Sequence, residues 1–138
     1  MKKKKIFLRR LLRNKPTQIS GVSGSLSLGE YGVISAEPGF LTRNQREAIR
    51  KLLARRLKPI NGRYWVYINH FVDMTQKSKG ARMGKGRGAF SCEKSPIRSG
   101  QMLCEFSGLE DKAARELHSS LTKKLPINTS FVYDELYK

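Results

Sequence analysis

Leu41-Thr-Arg-Asn-Gln-Arg-Glu-Ala-Ile-Arg-Lys-Leu-Leu-Ala-Arg-Arg-Leu-Lys-Pro59, followed by Arg63-Tyr-Trp-Val-Tyr-Ile-Asn69, is the stretch in which a helical period gives way to a strand period. Thr42 stands three residues before Gln45, the form of a capping box. Ile49, Leu52, Leu53 and Leu57 then recur at helical spacing until Pro59 stops the helix. Arg63–Asn69 is β-branched and aromatic and short enough for a strand. Trp65 and Tyr67 share one face and Tyr64, Val66 and Ile68 the other, which predicts a strand at the centre of a sheet, packed on both sides. Its aromatics are expected in the core, with base stacking as the alternative.

Working outward, Gly21–Gly24, with Ser23 inside it and Ser25 directly after, reads as a flexible link. Leu26, Leu28, Tyr31 and Val33 predict a strand pair, stopped by the turn chemistry of Glu37-Pro38-Gly39. Toward the C-terminus, Met102, Cys104 and Phe106 alternate as in a strand until Gly108. A helix over 110–124 follows, with the apolar stripe Ala113, Leu117 and Leu121. Glu110 and Asp111 open it and Lys123 and Lys124 close it, as the helix dipole favours. Pro126 ends it, and Thr129–Tyr133 reads as a last strand. There is no internal repeat.

The chain has 138 residues, with 28 Lys and Arg against 11 Asp and Glu, for a net charge of +17. That length predicts one domain, and that charge requires a polyanionic partner, nucleic acid first. The imbalance is local: residues 1–98 hold 23 basic and 5 acidic side chains, a balance of +18, and residues 99–138 hold 5 and 6, a balance of −1. The cations form three groups. Lys2, Lys3, Lys4, Lys5, Arg9, Arg10, Arg13 and Lys15 lie in an extension over 1–20. Its composition is that of an RNA-binding arm and equally of a mitochondrial presequence; Ile6, Phe7, Leu8, Leu11 and Leu12 would also give a membrane-surface helix an apolar face.

The second group is on the first helix. Arg43, Arg46 and Arg50 form a stripe beside its apolar face, with Lys51, Arg55 and Lys58 opposite. Glu47 is the one acid among them, so a phosphate-facing surface is expected rather than internally paired charge. Arg56 falls within the apolar stripe, either to meet phosphate with the others or to snorkel over the core. The third group is Lys77-Ser-Lys-Gly-Ala-Arg-Met-Gly-Lys-Gly-Arg-Gly88. Gly84, Gly86 and Gly88 let the backbone approach a polyanion while Lys77, Lys79, Arg82, Lys85 and Arg87 meet its phosphates; a plain linker is the alternative. The glycine spacing fits neither a Walker loop nor a dinucleotide fingerprint.

No apolar run approaches the roughly 20 residues of a membrane-spanning helix. The cysteines, Cys92 and Cys104, are twelve positions apart with no clustered His, so neither a disulfide framework nor a zinc site is indicated. An enzyme using His70, Asp73 or His118 as acid or base is the competing class. It lacks an acidic cluster beside His70, and His118 reads as a packed histidine at the edge of a helical stripe.

From about Gly24 to Val132 the sequence resembles the universal large-subunit ribosomal protein sixteen family, of bacterial and organellar type. The resemblance rests on Gly29-Glu-Tyr-Gly32 with Ala36-Glu-Pro38, Leu41-Thr-Arg-Asn-Gln45, Trp65-Val66, Arg82-Met-Gly-Lys-Gly-Arg-Gly88, Glu105-Phe-Ser-Gly108, Ala114-Arg115 and Lys124-Leu-Pro-Ile127, in family order and near family spacing. It implies an α+β fold: two helices packed on a mixed, largely antiparallel sheet, with a basic N-terminal arm and a protruding Gly-rich basic loop over 74–91. It implies a single rRNA-binding domain over 21–138, with rRNA, tRNA and neighbouring ribosomal proteins as partners and no catalysis, cofactor, metal or small-molecule substrate. The loop residues Lys77, Lys79, Arg82, Met83, Gly84, Lys85, Gly86, Arg87 and Gly88 are implied to reach toward the tRNA sites and the peptidyl-transferase region. Arg82 maps to a position hydroxylated in some bacterial members. On the helix Arg43, Arg46, Arg50, Lys51, Arg55 and Arg56 are expected to face rRNA. The sequence departs from the family at Asn69–Met74, at Ala89–Lys94 and in the apolar series of the arm. Such drift points to an organellar ribosome, mitochondrial first and plastid second.

Overall fold

The computed structural model describes residues 25–84 and 86–133. The arm cations Lys2 to Lys15 and the loop cation Lys85 lie outside the described residues. The elements are β1 Tyr31–Ser35, β2 Gly39–Thr42, α1 Arg43–Leu57, β3 Arg63–Val66, β4 Val72–Gln76, β5 Ala89–Ile97, β6 Met102–Ser107, α2 Asp111–Thr122 and β7 Thr129–Tyr133. They form an α+β fold with two sheets, one ordered β3-β6-β1-β7 and the other β2-β5-β4. Every recorded pairing is antiparallel, so the mixed sheet expected from the sequence is instead two antiparallel ones.

Helix α1 starts where its sequence says it should. Thr42 Oγ1 accepts the Gln45 N–H at 3.3 Å and Gln45 Oε1 accepts the Thr42 N–H at 2.8 Å, a complete capping box. Pro59 falls in a single 3-10 turn, and Asn61 turns the chain in the left-handed region at φ 55°. Ile49, Leu53 and Leu57 are buried against Val33, Cys104 and Phe106 of the first sheet and Leu117 and Leu121 of α2. Ala114, not Ala113, completes the buried stripe of α2. The one-residue rotation brings Ala114, which is wholly buried, under the sheet. The helix itself is shorter than expected, ending at Thr122.

Three further expectations change. Residues before Tyr31 do not pair as a strand, because the N–H groups of Ser27, Leu28 and Gly29 all donate to the Glu105 carboxylate, which is buried. The aromatic strand is an edge, not the centre; β6 and β1 hold the middle of that sheet. It is also shorter, although the Tyr67 N–H still reaches the Leu103 carbonyl at 3.0 Å. Finally β2, β4 and β5 build a second sheet unanticipated in the sequence, so the loop spans 77–88 rather than 74–91. Helix α1 touches β3 of one sheet and β2 and β5 of the other, and so joins them.

Candidate nucleic-acid interface

The capping box fixes where α1 begins and therefore which cations share a face. Arg43 Nη1 reaches Glu93 Oε2 of β5 at 2.6 Å and the guanidinium lies 6.0 Å above the Phe71 ring. Arg46 Nη1 meets Glu47 at 3.0 Å and its Nη2 donates to Asn69 Oδ1 at 3.3 Å. Arg50 Nε meets the other Glu47 oxygen at 2.9 Å. The hydrogen bond from Arg50 holds the Glu47 carboxyl below the usual carboxylate range, and Glu47 raises Arg50 in turn. The stripe expected to lack internal partners thus has them. Glu93 lies far away in sequence, on a strand the sequence did not reveal, which is why helix spacing alone could not find it.

Two arginines sharing one glutamate still leave a net positive charge. Lys51, Arg55, Arg56 and Lys58 form no ion pair among the described residues, and all are exposed. Arg55 and Arg56 also sit in the last turn, where the helix dipole favours cations. Arg56 lies over a shallow hollow with Ile60, Leu109 and Leu117, its aliphatic stem beside apolar neighbours while the residue as a whole stays exposed.

The loop leaves the body at the end of the β4–β5 hairpin. Its backbone turns through positive φ at Gly80 (80°), Gly84 (96°) and Gly86 (77°), a conformation that side chains rarely adopt. Lys77 Nζ donates to the Gly84 carbonyl and closes the loop on itself. Lys79, Arg82 and Arg87 are exposed, and Met83 is 100% exposed. At the root, a Cβ on Gly88 would stand 2.3 Å from the Gln76 carbonyl, so the two strands cross there with no room for a side chain. Phe90, 59% exposed just beyond the root, is an apolar group that sequence reasoning passed over, although an aromatic directly after a basic glycine run is itself a signal.

The acid and base candidates of the competing enzyme class do not converge. His70 is exposed. His118 lies 3.2 Å from Thr129 Oγ1 and 5.4 Å from the Phe131 ring. Among the described residues no group of His, Cys, Asp or Glu has the geometry of a metal site. Both cysteines are free, and burial together with the charge of Glu105 pushes the Cys104 thiol up to about 12. No helix among the described residues is long and apolar enough to cross a membrane.

Comparison with known proteins gives one consistent result. Residues 1–132 match the family described as Ribosomal protein L16p/L10e. The large ribosomal subunit protein uL16 of Borreliella burgdorferi (strain ZS7) is 35% identical over 129 residues, covering 94% of this chain and 93% of that one. The uL16 of Borreliella afzelii (strain PKo) is 34% identical and that of Borrelia duttonii (strain Ly) 33% identical, with the same coverage.

Proposed function

The chain belongs to the ribosomal protein L16p/L10e family, whose members are structural parts of the large ribosomal subunit and not enzymes, and on that premise we propose that it grips rRNA with α1 and extends the 77–88 loop toward the tRNA sites near the peptidyl-transferase region. The domain that does this is the single unit over 21–138. Phosphate contacts come from Lys51, Arg55 and Arg56, supported by the partly neutralised Arg43, Arg46 and Arg50, and from the loop cations Lys77, Lys79, Arg82, Lys85 and Arg87. The arm cations Lys2 to Lys5, Arg9, Arg10, Arg13 and Lys15 add a third contact. The observation that carries this is a loop with almost nothing to bury, its backbone opened by glycine and its Met83 wholly exposed, together with a helix whose cations outnumber their acids.

The ribosome in question is organellar, mitochondrial in first place. That is supported by the departures from the family in the apolar series of the arm, at Asn69–Met74 and at Ala89–Lys94. Sedimenting a lysate with and without ribonuclease tests the assignment. Co-migration with the large subunit, lost on ribonuclease treatment, is expected; a small free species in both gradients overturns it. Organelle fractionation of the same cells tests the location, and enrichment in the cytosolic ribosome pool alone would overturn the mitochondrial one.

A further inference from the structure

Tyr64 and Val66 of β3 pack on the core. Trp65 takes the opposite face, and because β3 is an edge strand no further strand among the described residues covers its flank. There it lines an open hollow of about 470 Å³ together with Arg63, Asn61, Leu28 and Glu30. That volume falls in the range of small-ligand sites. The rim is held from two sides. Glu105, paired with Trp65 across the sheet, fixes the N–H groups of Ser27, Leu28 and Gly29. Glu30 Oε2 accepts the Gly108 N–H at 3.2 Å, and Gly62 is packed so closely that a Cβ would meet the Ser107 carbonyl at 2.8 Å.

We infer that this hollow takes an unstacked nucleobase of large-subunit rRNA, with Trp65 as its stacking surface, an assignment that rests on the rRNA-binding role proposed above. The chemistry favours a base over a phosphate. Arg63 and Glu30 balance one another, so the hollow lacks the excess positive charge that phosphate seeks, and a carboxylate on its rim repels an anion. An indole face and a guanidinium plane both stack on bases. The carboxamide of Asn61 and the carboxylate of Glu30 supply the donors and acceptors that a base edge needs. Phosphate contacts from the helix and loop cations carry no base selection, so this contact adds selection of an unpaired position to phosphate binding.

Trp65 is the sole tryptophan of the chain, so its emission reports on the hollow directly. Large-subunit rRNA is added to the full chain while emission and filter retention are followed together. Strong quenching that tracks retention is expected, with little quenching by a fully paired RNA duplex. Trp65→Leu and Arg63→Ala should each weaken rRNA binding about tenfold, whereas Trp65→Phe retains most of the affinity. Because no phosphate contact is lost in Trp65→Leu, its salt slope should match that of the parent. Retention with unchanged Trp65 emission overturns the inference and leaves the rRNA-binding role intact, as does equal quenching by duplex. Failure of retention overturns both.

Discussion

Glu105 holds Gly29 from two directions at once. Its Oε2 accepts the Gly29 N–H at 2.8 Å, and the glycine is pressed so close to β6 that a Cβ would lie 2.9 Å from the Phe106 nitrogen and 3.0 Å from the Glu105 Cβ. The carboxylate and the missing side chain are therefore parts of one device that lays Ser27–Gly29 across the sheet. Glu105→Ala leaves three backbone donors without their acceptor and should cost roughly 3 kcal/mol in urea unfolding, whereas Glu105→Gln, which keeps an acceptor oxygen, should cost about 1 kcal/mol. Gly29→Ala should cost about 2 kcal/mol through the backbone contact alone. Equal stability of all three variants would show that the segment is not held this way.

The cations of α1 should divide into two classes by salt dependence. Lys51 and Arg55, which form no ion pair among the described residues, should each lower the slope of log affinity against log salt by about one when replaced by alanine. Arg43→Ala should change that slope less, because its guanidinium already meets Glu93. The same change should cost at most about 0.5 kcal/mol of stability, since the Arg43 side chain is 64% exposed. Filter binding over a salt series, paired with melting curves, separates the two classes.

His118 gives the protein a built-in sensitivity to mild acid. Burial lowers its pKa below the ordinary 6.5, partly opposed by its bond to Thr129. The folded state therefore prefers the neutral ring. As pH falls below 6.5 the unfolded chain takes up the proton first, so stability declines from there through the lower folded value and then levels off. His118→Gln should remove this part of the decline. Comparing urea midpoints of parent and variant at about pH 7.5, 6.5 and 5.5 measures it as a difference, so the slope from carboxylates cancels.

Two glycines of the loop should behave differently. Gly84→Ala places a side chain at positive φ in open space, straining the loop by about 1 kcal/mol while the body keeps its melting temperature. Gly88→Ala forces a Cβ against the Gln76 backbone and should lower the melting temperature as the β4–β5 pairing opens at the base of the loop. Thermal melts of the two variants, with limited proteolysis over 77–88, distinguish local from global effects.

What could be read from the sequence depended on how far each interaction reaches along the chain. The α1 cap, its buried Ile49, Leu53 and Leu57, and the last strand are local, and they stand as expected. The glycine loop was visible as a run of residue type, with its ends at 77 and 88 rather than 74 and 91 because the flanking residues pair as β4 and β5. The second sheet was not legible. β4 is five residues with Asp73 and Gln76 among them, and β5 carries Glu93, Lys94 and Pro96, so neither stands out until they pair with each other. The edge position of β3 was likewise hidden, since an aromatic strand exposed on one flank has the same composition as a central one. Of the candidate site, the cations were visible, but their partners Glu93 and Asn69 come from distant segments and only folding brings them to α1.

The hairpin that bears the loop is built like a cantilever. Its root is clamped where Ser95 and Ile97 are buried and where Lys94 to Ile97 pair with β2, and beyond that only β4 accompanies β5 outward. A load applied at Met83 therefore bends two strands without shifting a core side chain, while the angle of the beam is set at the clamp, where α1 presses on β2 and β5. On the proposed seating of α1 against rRNA, that contact would set the direction in which the tip points, through the strands that α1 touches.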